Sequence, residues 1–303
     1  MKKDLLRSSK VSLSIIVISY NTKDLTKNCI ESIQKNTKGI KYEIIVIDNA
    51  STDGTIKAIS GLKVRLIKNK SNLGFAKANN QGIKIAKGSY ILLLNSDTLI
   101  SDNVLGEVVG WMSKNPRVGV ATCALKNKDG SLQATGGYFP TLIRVFSWMT
   151  IQDFPCVDFL IKPFHPKLKF YAYKEEKDLD WVTGAFLLVR KKVIEEIGGL
   201  DEDYFMYGED LDFCFRAKEK GWLVKYLPEF SIIHYGGASS AKEFPLLSEY
   251  KSTKIFYKKH YSSWQMPILR LLLKIGALGR IVILGMIRGG DYAKIYAKAF
   301  KEA

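Results

Sequence analysis

Over the first hundred positions, short and nearly continuous apolar runs alternate with segments whose apolar residues recur at helical spacing. Residues 11–19 form a strand-like run, and Asn21 or Thr22 is placed to cap a helix carrying Leu25, Cys29, Ile30 and Ile33 on one face. Residues 43–47 (EIIVI) predict a second strand. DNASTDGT follows as a turn, with Ser51 or Thr52 as cap for a short helix over 56–59. Residues 64–67 predict a third strand, followed by a loop that becomes a helix ending at Gly88, and residues 90–94 predict a fourth. Strands that are apolar at almost every position, alternating with helices, predict a mostly parallel sheet covered on both faces.

After Asp97 the pattern loosens. Residues 118–124 predict another strand, and 126–180 is an aromatic stretch punctuated by Pro140, Pro155, Pro163 and Pro166, expected as a substrate-side insertion. Strand and helix return over 181–199. A helix over 209–220 would bury Leu211, Cys214 and Phe215, and a last strand is expected at 231–234. The expected organisation is an α/β catalytic domain over 1–240, with a nucleotide-binding half at about 11–100 and an acceptor half at about 101–240, followed by a basic helical extension over 241–303.

Each early strand ends in polar residues: Ser19-Tyr20-Asn21, Asp48-Asn49, Asn69 to Asn72, and Asn95-Ser96-Asp97. Ligands of open α/β sheets bind beyond the carboxyl ends of the strands, so four such ends on one edge predict a site. Asp97 alone reads as a turn residue; on the site edge it reads as a carboxylate that holds a divalent cation against phosphates. The sequence has neither GxGxxG after the first strand nor GxxxxGK[ST], so another device must meet diphosphate charge. Asp48 and Asn49 suit an Asx turn and also suit pairing with the N–H of uracil or thymine, which an amide oxygen can accept as well as a carboxylate. Glu209, Asp210 and Asp212 open a helix whose dipole favours acids, and an ionised carboxylate there is equally a candidate general base. The preceding YFMYG would partly desolvate it. His234, at a strand end, reads either as a hydrogen-bonded structural residue or as a metal ligand.

With 47% apolar residues among 303, the chain can bury a sizeable core. Cys29, Cys123, Cys156 and Cys214 show no metal-ligand spacing and are expected as buried thiols in a reducing compartment. Residues 1–10 lack the apolar core of a secretory signal, so a cytoplasmic protein is expected. The net charge is +16, and residues 242–303 alone hold twelve Lys/Arg against four Asp/Glu. That excess sits in the tail rather than at the strand ends, and no nucleic-acid-binding motif occurs, which argues against a nucleic-acid partner. PILRLLLKIGALGRIVILGMIRGG is long enough to span a bilayer, but Arg270, Lys274 and Arg280 interrupt it, each at about 2.5–3.5 kcal/mol near the bilayer centre. The expectation is a basic amphipathic segment near 264–303 lying on the anionic inner face of the cell membrane; the alternative is a helix packed on the catalytic domain.

SIIVISYNTKDLTKNCIESI, YEIIVIDNASTDGT, NLGFAKANNQGI, LLLNSDT, WVTGAFLLVRKKVIEEIGGLDEDYFMYGEDLDFCFRAKEKGW and IIHYGG resemble, in order and over roughly residues 11–240, the bacterial family 2 glycosyltransferases, in particular their rhamnosyltransferase-like branch. The resemblance implies a GT-A fold, a nucleotide-sugar donor (dTDP-rhamnose or a UDP-sugar), a divalent metal (Mn²⁺ or Mg²⁺) and inversion at the anomeric carbon. It also implies a glycan or lipid-linked glycan acceptor in polysaccharide or cell-envelope biosynthesis. By the same resemblance Asn95-Ser96-Asp97 is the DxD element with its first carboxylate replaced, Asp97 and His234 are metal ligands, and Asp210, beside Glu209, is the catalytic base. Ser19, Tyr20, Asn21, Asp48, Asn49, Asn72, Gly74, Asn80, Asn95 and Ser96 line the donor nucleotide pocket, and Trp181, Thr183 and Gly184 the acceptor side. The alternative is a nucleotidyltransferase acting on a sugar phosphate, which would ordinarily carry a Gly-rich loop with Arg or Lys after the first strand; SYNTKDL is not one.

Overall fold

The computed structural model describes residues 11–152, 157–166, 174–236, 243–288 and 290–303. Its strands are β1 (Leu13–Ser19), β2 (Tyr42–Asp48), β3 (Arg65–Lys68), β4 (Tyr90–Asn95), β5 (Thr98–Leu99), β6 (Val118–Lys126), β7 (Gly136–Gly137), β8 (Lys177–Asp178), β9 (Trp181–Val182), β10 (Phe186–Arg190) and β11 (Leu223–His234). The main sheet runs β3-β2-β1-β4-β10-β6-β11-β5, with β8 added to β11. The expected parallel sheet is present in β3-β2-β1-β4. β10 then enters antiparallel to both β4 and β6, which makes the whole sheet mixed.

The near-continuous apolar runs have a direct cause. Ile15, Val17, Val46, Leu92 and Leu94 pack in one core with Cys29, Ile30 and Ile33 of helix Lys23–Asn36 and with Val104, Leu105, Val108 and Met112 of helix Val104–Lys114. Ile16, pointing the other way, meets helix Phe75–Ile85 so closely that a Cβ on Gly82 would stand 2.7 Å from its Cγ2. Both faces are covered, so polar alternation is absent.

Several boundaries differ from expectation. The last strand is twelve residues long rather than four: Leu227 pairs with Cys123 and Ser231 with Ala124, so Pro228 to Phe230 bulge out between them. Proline cannot donate to the ladder, and a bulge is where a strand tolerates it. Neither expected cap is made by its own side chain. The Thr22 hydroxyl lies beside those of Ser19, Thr26 and Ser96 instead. Asp53, not Ser51 or Thr52, serves the helix Thr55–Ile59: its Oδ1 accepts from the Thr55 N–H, and its Oδ2 accepts from the Lys23 N–H at the start of the previous helix. Cys29, Cys123 and Cys214 are buried free thiols, as expected, and burial pushes those of Cys29 and Cys214 up to about 12. Cys156 lies outside the described residues.

The chain forms two compact units. One comprises residues 1–136, 167–205 and 209–239; the other comprises 137–166, 206–208 and 240–303. In the second, helix Gln265–Arg288 packs on helix Leu142–Met149. Arg280, read from the sequence as a charge interrupting an apolar run, donates to the carbonyls of Trp148 (2.7 Å) and Met149 (3.2 Å). Trp148 in turn groups with Phe164, His165 and Tyr250. Among the described residues, no helix is long and apolar enough to cross a membrane.

Candidate functional site

Parallel register brings the polar strand ends of the first unit to one edge. Ser19 stands opposite Asp48, Asp48 opposite Lys68, and Ile18 opposite Asn95. Three further elements reach the same edge. The Asn95 N–H donates to the Ala185 carbonyl at 3.1 Å, which places residues 183–185 beside β4. Asp210, in the first turn of helix Glu209–Glu219, accepts the Gly184 N–H on Oδ2 at 2.9 Å and the Leu211 N–H on Oδ1 at 2.8 Å. At the end of β11 His234 pairs with Thr98, and the Tyr235 N–H donates to the Asp97 carbonyl.

The loops after β1 and β2 are stitched together. Asn21, held at φ +52°, accepts the Thr52 N–H on its side chain at 2.8 Å and donates its own N–H to the Ser51 hydroxyl at 2.9 Å. Ser19 and Ser96 belong to a chain of hydroxyls with Thr22 and Thr26, so they shape the site floor, while Tyr20 stays exposed.

Behind these loops lies a net of amides. Asn49 accepts from Asn69 (2.8 Å) and donates to Asn72 (3.2 Å) and to the Gly74 carbonyl (3.3 Å), while Asn69 and Gln81 exchange two bonds. Asn49 is buried, with its Oδ1 accepting from Asn69 and its Nδ2 engaged by Asn72 and Gly74. Asp48 is different. Its Oδ1 accepts the Ser51 N–H, and its buried Oδ2 has no partner among the described residues. The Asn80 amide bonds both the N–H and the carbonyl of Leu200 and reaches Glu202, which ties it to that turn.

Gly74 carries a backbone requirement that only glycine meets. At φ +83°, an added Cβ would stand 2.5 Å from the Phe205 carbonyl, which accepts the Phe75 N–H at 2.7 Å. Gly74→Ala is expected to destabilise the fold by roughly 1–3 kcal/mol. Chemical denaturation reads this; an unchanged midpoint would show that the 205 turn yields freely.

Buried Asp97 and half-buried His234 form a pair, with Asp97 Oδ1 3.3 Å from His234 Nε2. Gln133 sets the tautomer. Its Nε2 donates to the His234 backbone carbonyl (2.7 Å) and to Asn127 Oδ1 (2.6 Å), which leaves Oε1 facing His234 Nδ1 at 2.7 Å. Nδ1 therefore carries a proton. In the neutral ring Nε2 is then a lone pair facing a carboxylate oxygen, an arrangement that calls for a cation between them or a second ring proton. Asn95 Nδ2 also approaches Nε2, at 3.4 Å. Among the described residues no three His, Cys, Asp or Glu side chains group as a metal site. The donor set here is one carboxylate and one imidazole, which suits a cation that takes its remaining oxygens from a ligand.

The two acids of the opening turn have different environments. Glu209 is 4% exposed with Oε2 unpartnered among the described residues; burial, then the Asp210 charge, pushes its carboxyl well above the usual range. Asp210 is half-buried and takes two backbone N–H bonds. Asp212 is tied to Arg216 at 2.7 Å, and Arg216 also binds the carbonyls of Ile197 and Gly199, a structural clamp. Trp181 and Thr183 precede Gly184 on the same segment, held by the Thr183 N–H on the Thr135 carbonyl. A Cβ on Gly184 would lie 3.1 Å from the Phe75 ring and 3.8 Å from Asp210 Oδ2, so that position is a narrow gap beside the acid. Sequence reasoning missed Gln133 and Gln81, both of which act only through tertiary partners.

Comparison with known proteins gives the arrangement its context. The chain is 27% identical over 284 residues to an N-acetylglucosaminyl-diphospho-decaprenol L-rhamnosyltransferase of Mycobacterium tuberculosis, covering 86% of this chain and 89% of the relative. It is 28% identical over 229 residues to the rhamnosyltransferase WbbL of Escherichia coli K12, covering 73% and 82%. Among solved structures, it superposes on the mannosyltransferase PcManGT of Pyrobaculum calidifontis, in complex with GDP-Man and Mn²⁺, with a TM-score of 0.57 and 16% identity, over 98% of this chain and 84% of the other. With GalNAc-T7 bound to UDP, GalNAc and Mn²⁺ the TM-score is 0.59 at 16% identity, over 97% and 56%. The expected GT-A fold is thus borne out. Residues 14–198, more than half of the chain, match the model of glycosyl transferase family 2, and the chain belongs to that family.

Proposed function

We propose that this glycosyltransferase moves a sugar, dTDP-rhamnose or a UDP-sugar being the donor, to a hydroxyl of a lipid-linked glycan, with inversion, in cell-envelope polysaccharide synthesis. The observation that carries the reading is the convergence, on one sheet edge, of the Asp97–His234 pair with Asp210 at the Gly184 gap. Relatives named as rhamnosyltransferases, one of them acting on a decaprenol-linked sugar, support the donor and acceptor classes. The lipid carrier implies a protein attached peripherally to the inner face of the membrane.

The residues divide the work. Asp48 Oδ2 is the free acceptor for the base N–H, and the amide net keeps the Asn72–Gly74 loop in place beside it. Asp97 and His234 would hold Mn²⁺ or Mg²⁺, which when bound neutralises charge on a departing diphosphate. Asp210 takes the proton from the acceptor hydroxyl, positioned by its bonds to the Gly184 and Leu211 N–H groups. Trp181 offers an aromatic face to a sugar ring.

Incubation with labelled nucleotide sugars tests the reaction class. Release of nucleoside diphosphate is expected, whereas pyrophosphate release would favour nucleotidyl transfer. Gln133→Ala, which frees the His234 ring, is expected to weaken Mn²⁺-dependent UDP or dTDP binding about 10- to 100-fold, the usual weight of a group that orients a metal ligand. Metal-free nucleotide binding should not move. Equal loss with and without Mn²⁺, measured by calorimetry, would make Gln133 a general structural residue.

A further inference from the structure

We propose that helix Gln265–Arg288 lies lengthwise on an anionic phospholipid bilayer and docks there through one defined face; this rests on the lipid-linked acceptor reading above. Ile268, Leu271, Ile275, Leu278, Val282 and Met286 are all exposed, Met286 to 76%, and recur every three or four residues. Such spacing puts them in one stripe, about 27 Å long at the helical rise. The opposite face is occupied up to Arg280: Leu269, Leu273 and Ala277 are fully buried and Arg280 is bonded to the 148–149 carbonyls, while beyond it Ile283 and Ile287 are exposed as well. The helix is therefore packed and still leaves an apolar stripe uncovered, and a contiguous exposed apolar patch marks an interaction site.

Charge selects the occupant. Arg270 and Lys274 are exposed on the same helix, Lys251, Lys258 and Lys259 on helix Glu243–His260, and Lys294, Lys298 and Lys301 on helix Gly290–Glu302. With a net +8 over residues 242–303, a second copy would bring like charge against like charge, whereas anionic headgroups would be attracted. Trp264, 64% exposed just before the helix, suits the headgroup level. No described helix is long and apolar enough to cross a membrane, so a stripe that meets a bilayer would lie in the interface plane.

The test is co-sedimentation of the full chain with phosphatidylcholine vesicles, with and without phosphatidylglycerol, at low and high salt. The wild type is expected to bind phosphatidylglycerol vesicles and to be released by salt. A Leu271→Glu, Leu278→Glu, Val282→Glu variant, altered only at exposed positions and checked by circular dichroism, is expected to bind roughly tenfold more weakly or worse. A wild type that ignores phosphatidylglycerol vesicles at low salt, or a triple variant that binds as well as wild type, overturns the proposal. So does a wild-type dimer that the triple variant converts to monomer without any vesicle binding, since the stripe would then be a self-association face. Calorimetric binding of UDP or dTDP on the same samples separates the two readings: vesicle binding without nucleotide binding sinks the functional proposal alone, and the reverse sinks this one alone.

Discussion

Asp210→Asn is expected to lower turnover by about 10²- to 10⁴-fold, the usual cost of removing a general base, with donor affinity nearly unchanged. The amide oxygen can still accept one of the two N–H groups, of Gly184 or of Leu211, so one bond of the turn is kept; the other is lost together with the capacity to take a proton. Glu209→Gln is the informative contrast. Burial pushes that carboxyl up and favours its neutral form, so a neutral isostere is expected to keep far more activity. Single-turnover rates with saturating acceptor, alongside calorimetric donor binding, separate the cases. Near wild-type turnover in Asp210→Asn would remove Asp210 as the base, and a larger loss in Glu209→Gln than in Asp210→Asn would invert the assignment.

Asp97→Ala is expected to abolish the metal dependence of UDP or dTDP binding and to reduce turnover roughly a thousandfold, several kcal/mol of charge stabilisation at about 1.4 kcal/mol per factor of ten. Chelation of the wild type should have the same effect, and Mn²⁺ should restore the wild type but not the variant. The physical basis is the pair itself. Gln133 fixes the proton on His234 Nδ1, so a neutral ring turns its lone pair toward the Asp97 carboxylate, and without the carboxylate that arrangement has no second ligand. Full activity in excess EDTA would leave Asp97 and His234 as a structural ion pair and take away the cation.

Much of the fold was legible because strands buried on both faces must be apolar at nearly every position, and β1, β2 and β4 were found within one or two residues of the expected places. The twelve-residue β11 was read as four, since Pro228 and Glu229 break the pattern and only the neighbouring β6 shows that the ladder resumes after a bulge. The candidate site was legible as a set of strand ends and one helix start. Asp48, Asp97, Asp210 and His234 are polar or charged residues beside apolar runs, and that contrast is visible in one dimension. Individual environments were less so: nothing local separates Asp48, whose Oδ2 has no partner among the described residues, from Asn49 beside it, whose amide bonds Asn69 and Asn72.

By itself, then, the sequence determined the periodicities, hence the sheet and the edge that carries the polar ends, and it determined which residue types were present to do chemistry there. Tertiary structure alone decided partners. Gln133 reaches His234 across 101 positions and Asp210 reaches Gly184 across 26, while Asp53 holds the Lys23 N–H across 30. It also divided the two sides of helix Gln265–Arg288, because an apolar residue has the same character whether or not a neighbour covers it. Hydrophobic pattern reports what a residue prefers to face; hydrogen-bond satisfaction and burial depend on which groups the folded chain brings within about 3 Å, and that is a property of the whole fold.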